Sequence, residues 1–413
     1  LTAMDTQLIE RIIDEPAPVA RANFAARHDG SFYEFAGGFT HDNFDDLLKW
    51  AGERKASDIT FQTNEPVKSE IGAQIVPITR RALSKNEMED LARHVYAAHG
   101  PGMVLAGYDL DPSHEVRIGG QLFRYRVNVT GIRVPQSTGI QITVRTLPQR
   151  PIPLAHLNVE EGILANKRPN QGLFLVTGPT GSGKSTLMSS ILGDIVSTPN
   201  ANEKVLEYAS PIEYVYDGIV DPSCSVAQTE VPKHLRPHDG GGADSQESLW
   251  GYAIRNALRR KPTIISIGEA RDKATIAGCV EAALTGHLVY STTHVIGVAE
   301  TLRRLIQPFG GDEKRAMGYD IMQSMRVIVT QLLFPRVGGG KVACREFAIF
   351  DAATRNQFLT KNPDDWPAFA RKLMVSGRIM SRTMSESAYQ AYRAGALSRE
   401  DWMRIVSAER EST

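Results

Sequence analysis

Nine consecutive residues, Gly178-Pro179-Thr180-Gly181-Ser182-Gly183-Lys184-Ser185-Thr186, restrict this chain more than any other stretch. They satisfy the pattern G-x-x-x-x-G-K-[ST] without a mismatch. Ahead of them, Gly172 to Thr177 is a short apolar run suited to a buried parallel strand. Behind them, Leu187, Met188, Ile191, Leu192, Ile195 and Val196 recur with the spacing of one helical face. Strand, glycine loop and helix therefore follow in the order of an α/β phosphate-binding unit. Gly178, Gly181 and Gly183 let the backbone turn its N–H groups toward phosphate oxygens, and the helix N-terminus adds partial positive charge. Thr180 and Ser182 line the same loop, Lys184 reaches the β- and γ-phosphates, the Ser185 hydroxyl ligates Mg²⁺, and Thr186 assists phosphate binding. The expected cofactors are ATP and Mg²⁺.

A chain of 413 residues is long enough for two or three domains. Its 47 Lys+Arg balance 47 Asp+Glu, so no global positive field draws it to nucleic acid or anionic lipid. The three cysteines, Cys224, Cys279 and Cys344, are widely spaced and lack a C-x-x-C pair, which argues against a disulfide framework or a zinc ribbon. No apolar run approaches the ~18 residues of a membrane span, and Leu1 to Pro18 mixes charges with Leu and Ile. The expectation is a cytoplasmic protein that meets the membrane only through partners, without direct nucleic-acid binding.

In chain order, residues 1–40 read as an N-terminal extension with a helical stretch around Leu8, Ile9, Ile12 and Ile13. Residues 41–146 read as an α+β domain: a helix around Leu47, Leu48 and Ala51, a strand at 56–61, a helix over 85–98, and strands at 115–118, 122–129 and 139–145. In the second of these last three, Phe123, Tyr125, Val127 and Val129 share one face, with Leu122, Arg124, Arg126 and Asn128 opposite. One face is apolar and the other basic. Pro148, Pro151 and Pro153 then mark an extended linker, 147–158, before a second domain, 159–413. From about residue 300 this domain continues as a helical extension, with Met322, Met325, Ile328 and Val329 at core spacing, interrupted by a hairpin-like Arg336–Val342. Residues 385–395 read as a helix ended by Gly395.

Three further constellations follow the loop: Val205–Ala209 running into Ser210-Pro211-Ile212-Glu213, Thr263–Ile267 running into Gly268-Glu269-Ala270-Arg271, and a strand bracketed by His287 and His294. Open parallel sheets collect ligands beyond the carboxyl ends of their strands, where Glu213, Glu269 and His294 would be delivered.

The order of phosphate loop, Pro-Ile-Glu, Gly-Glu-x-Arg-Asp and a Thr-Gly-His segment ending in His294 resembles the secretion-ATPase superfamily, and within it the PilT-like branch of traffic ATPases. The extended N-terminus, Arg-Asn-Ala-Leu-Arg-Arg-Lys-Pro at 255–262, and Glu-Tyr-Ala-Ser-Pro-Ile-Glu make it similar to the DotB/TraJ type of type IVB secretion and conjugation ATPases. The resemblance implies a RecA-like ATPase domain behind a PAS-like N-terminal domain. It further implies a homohexamer docked on inner-membrane secretion-complex proteins. By the same resemblance Glu213 polarises the attacking water, Glu269 is the carboxylate near Mg²⁺, and His287 and His294 form a histidine box. Arg124, Arg126, Arg133 and Arg145 face nucleotide from the N-terminal domain, while Arg255, Arg259, Arg260 and Arg271 are local or neighbouring-subunit candidates.

Two departures stand out. The family's acidic Ile-Glu-Asp-Pro-Ile-Glu is thinned to Tyr-Ala-Ser-Pro-Ile-Glu at 208–213, and Gln-Arg-Glu-Val becomes Gln228-Thr229-Glu230-Val231 before an insertion at 232–243. His234, His238 and Asp239 in that insertion read as a loop and not as a metal site. Three rivals remain: a pilus retraction or extension motor, a nucleotide-gated scaffold that does not hydrolyse, and, disfavoured by zero net charge, a DNA translocase.

Overall fold

The computed structural model describes residues 31–54, 56–71, 74–118, 121–231, 233–235 and 249–411. The helix expected around Leu8 to Ile13 lies outside them, as does the insertion from 236 on, including His238 and Asp239. The chain divides into two compact units, one from the described residues up to Val116 with Tyr125–Thr146, the other from Arg117–Arg124 with Leu147 onward.

The first unit is built on a six-stranded sheet of order β3-β2-β1-β6-β5-β4. Its strands are β1 (Asp58–Gln62), β2 (Pro66–Ile71), β3 (Gln74–Ala82), β4 (Ser113–Ile118), β5 (Gln121–Val134) and β6 (Ser137–Leu147). Alternation explains them: Ile59 and Phe61 of β1 are buried and lie opposite Val144 and Ile142 of β6 in antiparallel register. Helices His41–Glu53 and Lys85–Val95 each begin in a capping box, Thr40 with Asn43 and Ser84 with Glu87, which satisfies N–H groups that a helix start leaves open. The first buries Phe44, Leu47, Leu48 and Ala51, and the second Met88, Leu91, Ala92 and Val95. On β5, Tyr125, Val127 and Val129 are buried as the two-residue period expects.

The second unit carries an eight-stranded sheet of order β14-β13-β12-β7-β11-β10-β8-β9. Its strands are β7 (Gly172–Thr177), β8 (Lys204–Ala209), β9 (Ser225–Glu230), β10 (Ile264–Ile267), β11 (Leu288–Thr293), β12 (Met325–Pro335), β13 (Lys341–Ile349) and β14 (Ser381–Arg382). From β12 to β9 every pairing is parallel, while β13 and β14 add antiparallel partners. Parallel strands are buried on both faces, which is why β7 and β11 are apolar or small throughout. Leu173 and Leu175 enter one core, with residues of helices Lys273–Leu284 and Val298–Ile306; Phe174 and Val176 enter another, with helix Lys184–Ser197. Helices thus cover both faces of an α/β sheet.

Beyond residue 300 the expected helices are present at Gly311–Ser324, Ala352–Leu359, Trp366–Val375, Met384–Arg393 and Arg399–Glu411. One reading is corrected: Met325, Ile328 and Val329 belong to strand β12, not to a helix. Their spacing suits a helix, yet Val327-Ile328-Val329-Thr330 is a β-branched run buried on both faces beside β7, where periodicity carries no signal. Residues 336–340 form the turn that joins β12 to β13, and Lys341 and Val342 already pair with Pro335 and Phe334.

Candidate active site

Strands β7 and β11 end level, Thr177 pairing with Thr293, and the neighbouring β10 ends two residues short of them, Ile267 pairing with Ser291. The residues that follow each strand therefore gather on one edge of the sheet. After β7 comes the glycine loop. Gly178 has φ +140°, and a Cβ there would stand 2.4 Å from the Gln331 carbonyl oxygen; Gly183 has φ +80°, with a Cβ 2.8 Å from Gln331 Nε2. Side chains are excluded at both points by backbone geometry and by space. Gly181, at φ +78°, has open space around its Cβ position.

Lys184 starts the helix Lys184–Ser197 and is only 7% exposed. Its Nζ donates to the carbonyls of Gly178 at 2.7 Å and Pro179 at 2.9 Å, and lies 3.4 Å from His294 Nδ1. Burial pulls its pKa down while the charges of Glu269 and Glu213 push it back up, so both carboxylates act on this ammonium. His294 Nε2 is 3.7 Å from Glu269 Oε1. Glu269, Glu213 and His294 thus gather around the loop lysine.

The residues present fit a bound triphosphate and its cation. The Ser182 hydroxyl inside the loop and the Thr293 hydroxyl at the end of β11 are buried without hydrogen-bond partners among the described residues. Such orphaned groups suit an anion or its counter-ion. Ser185, half-buried, and Glu269 offer the hydroxyl and carboxylate oxygens that Mg²⁺ prefers.

Glu213 is exposed, in a segment held at three points. Arg124, 2% exposed, donates to the Ile212 carbonyl at 2.7 Å and the Glu213 carbonyl at 3.2 Å. Tyr214 Oη bonds Thr186 Oγ1 at 2.7 Å, and the Tyr214 carbonyl accepts from Gln228 Nε2 at 2.7 Å. The Arg124 guanidinium thus grips the backbone carbonyls of Ile212 and Glu213. An alternating strand pattern cannot tell an exposed arginine from one buried against a loop 88 residues away.

Sequence reasoning missed Glu207. It sits on β8, fully buried, with Gln228 Nε2 donating to it at 2.5 Å. Burial, with the nearby Glu213 charge, outweighs Gln228 and Arg124 and pushes its carboxyl up to about 7. The folded-state pKa stands above the ordinary value of 4.5, so the folded state holds the proton longer. The associated stability is complete below pH 4.5 and is lost as pH rises through 7. Glu207→Gln is therefore expected to match the wild type near pH 4 and to exceed it progressively up to pH 7, by about 1 kcal/mol per pH unit. Denaturant melts across pH 4–8 check this, and parallel curves for the two proteins would refute it.

A second omission lies under the loop. Gln331 Nε2 donates to the Ser182 carbonyl at 2.7 Å, and Arg345 Nε donates to Gln331 Oε1 at 2.7 Å. Arg345 also donates to the carbonyls of Asn158 and Leu157 at 3.1 and 3.0 Å and pairs with Glu160 at 3.3 Å. Both side chains are almost fully buried. They brace the glycine loop from strands β12 and β13, and no motif marks them.

His287 precedes β11, with Nδ1 3.0 Å from the Ala282 carbonyl, at the strand end opposite the one that carries His294. The intervening strand separates the two histidines by about 20 Å at ~3.3 Å per residue. Within the first unit Arg126 pairs with Asp111 at 2.7 Å, Arg145 pairs with Asp58 at 2.8 Å, and Arg133 is exposed. Arg271 is exposed just past Glu269, and Thr180 is exposed on the loop. Arg260 Nη1 donates to Tyr208 Oη at 3.2 Å, and His234 Nδ1 accepts from the Glu230 N–H at 3.2 Å.

A parallel sheet covered on both faces, with a glycine loop, lysine and convergent carboxylates at its strand ends, defines a P-loop ATPase fold. The profile of the type II/IV secretion system protein family matches residues 39–397, and the chain belongs to that family of secretion and pilus ATPases. It is similar to the ATPase DotB of Legionella pneumophila, with TM-score 0.82 and 38% identity, over 92% of this chain and 99% of that one. The pilus retraction motor PilT, solved with bound ADP, gives TM-score 0.74 and 28% identity, over 87% of this chain and 96% of that one. The type IV pilus retraction ATPase PilT of Pseudomonas aeruginosa is 30% identical over 311 residues, 75% of this chain and 83% of that protein. Among the described residues no helix is long and apolar enough to cross a membrane.

Proposed function

We propose that this protein is a ring-forming, Mg²⁺-dependent ATPase, a homohexamer by family resemblance, that powers a type IVB secretion system or a related conjugation system. It works at the inner membrane by docking on proteins of the secretion complex. The observation that carries the reading is the gathering of Lys184, Glu269, Glu213 and His294 around one glycine loop.

In this reading Glu213 orients the attacking water, and Arg124 sets its position by fixing the backbone on which it stands. Lys184 exchanges its two loop carbonyls for β- and γ-phosphate oxygens and takes up developing charge, the dominant means of catalysing phosphoryl transfer. Ser185 and Glu269 would hold the cation, which when bound neutralises charge on the phosphate oxygens. His294 stands beside Lys184 toward the γ-phosphate, and Arg271, with Arg126, Arg133 and Arg145, supplies further positive charge, some of it across a subunit boundary. His287, at the far strand end, is left to a role outside its own nucleotide site. Hydrolysis rotates one domain against the other about the proline-rich 147–158 linker.

The 38% identity to the Legionella pneumophila DotB against 28% to PilT supports the secretion assignment, while the Yersinia pseudotuberculosis DotB, also at 28%, does not separate the two. The test is phosphate release by the purified chain with magnesium and ATP, measured against protein concentration and alongside sedimentation. Specific activity should rise as protomers assemble and vanish with chelator. A chain that stays monomeric and inactive even with its purified docking complex would overturn the proposal, and capture of pilus-platform proteins in place of a secretion complex would assign it to pilus retraction.

A further inference from the structure

Three side chains of the first unit, from three elements, converge on one point within that unit. Asp45 lies on helix His41–Glu53, His94 on the last turn of helix Lys85–Val95, and His114 near the start of β4. Asp45 Oδ1 is 2.7 Å from His114 Nε2 and 3.5 Å from His94 Nε2. One donor atom from each residue lies within 4.8 Å of the others.

We infer that Asp45, His94 and His114 form a binding site for a divalent transition-metal ion, with zinc the ion its donors suit. Two imidazoles and one carboxylate match a zinc site, whereas magnesium and calcium prefer all-oxygen shells. A tetrahedral ion with bonds of about 2.0–2.1 Å sets its donors about 3.3 Å apart. The Asp45–His94 separation of 3.5 Å already has that length. The Asp45–His114 hydrogen bond must open by about 0.6 Å, a small side-chain rotation.

The surroundings hold the rings in place. Phe44 meets His114 edge-on with centroids 5.6 Å apart, and His94 likewise at 6.0 Å, while Tyr125 stacks on His114 at 6.4 Å. An apolar wall of this kind fixes ligand orientation and lowers the local dielectric. The exposure of the side chains rises from 11% at His114 through 22% at Asp45 to 27% at His94, so the cluster opens to solvent on the His94 side. An ion can enter there and keep water as its fourth ligand. His41 stands on that side, with its ring 5.3 Å from that of His94 and one helical turn before Asp45. A bound ion would tie two helices to a strand and stabilise the unit in proportion to its occupancy.

The test uses the full chain, stripped with chelator, free of nucleotide, and titrated with Zn²⁺ alone or with Co²⁺ as the spectroscopic probe. The expected result is one zinc per chain, a rise in melting temperature with added zinc, and the visible absorption of four-coordinate cobalt. Excess magnesium should not compete. His94→Gln and Asp45→Asn should each weaken zinc at least about 100-fold. His94 is the most exposed of the three, and its variant should keep the far-ultraviolet circular dichroism of the wild type. If wild type takes up no zinc at micromolar concentration, or binds it as tightly as His94→Gln does, the cluster is a hydrogen-bonded anchor and the inference falls.

Discussion

Arg345→Ala should lower the melting temperature of the protein by on the order of 10 °C, from a loss of about 3–5 kcal/mol. The magnitude follows from what the guanidinium leaves behind. Its Nη atoms satisfy the carbonyls of Leu157 and Asn158, Nε satisfies Gln331, and Glu160, with a side chain 7% exposed, keeps among the described residues the longer 3.4 Å ion pair to Arg382. Buried acceptors stripped of their donor cost far more than a surface pair of the same geometry. Arg345→Lys should rescue little, because one ammonium cannot span three carbonyl or amide oxygens and a carboxylate in the planar fork of an arginine. With its Oε1 unpaired, Gln331 loses its fixed orientation beneath the Ser182 carbonyl, so nucleotide affinity should fall as well. Calorimetry and titration with a fluorescent nucleotide measure the two effects. A melting temperature within a degree or two of wild type would show that the strut carries no weight.

Glu213→Gln should reduce ATP turnover by about 10²–10⁴-fold with nucleotide affinity nearly unchanged. The substitution keeps size and hydrogen bonding but removes the ability to accept a proton from water. Because Arg124 and Gln228 hold this segment through carbonyl oxygens, the amide should leave the backbone where it was. Removal of a nearby negative charge should also ease ionisation of Glu207, whose carboxyl feels Glu213. Loss of phosphate release with an intact oligomer would exclude the non-hydrolysing scaffold. Unchanged turnover would mean that another group orients the water, despite the thinned acidic stretch at 208–213.

The glycine loop, its helix and the buried strand before it were legible because each is written in contiguous residues with its own period. The α/β class and the convergence of Glu213, Glu269 and His294 followed from one rule about parallel strands. His287 was joined to His294 by family resemblance alone, and a strand points its two ends at opposite edges of a sheet. Met325 to Val329 shows a limit of periodicity, since a run buried on all sides has no period to detect.

Local chemistry along the chain is enough to specify the strand, glycine loop and helix around residues 178–186, because glycine conformations, a lysine at a helix start and alternating apolar residues act over a few positions. Partners far apart in the chain had to await the fold. Arg124 became a backbone clamp, Glu207 a carboxyl that keeps its proton near neutrality, and Gln331 with Arg345 a brace under the loop. Asp45, His94 and His114 became neighbours in the same way. Each of these roles depends on desolvation and on hydrogen bonds across tens to hundreds of residues, quantities that exist only once the chain has closed on itself.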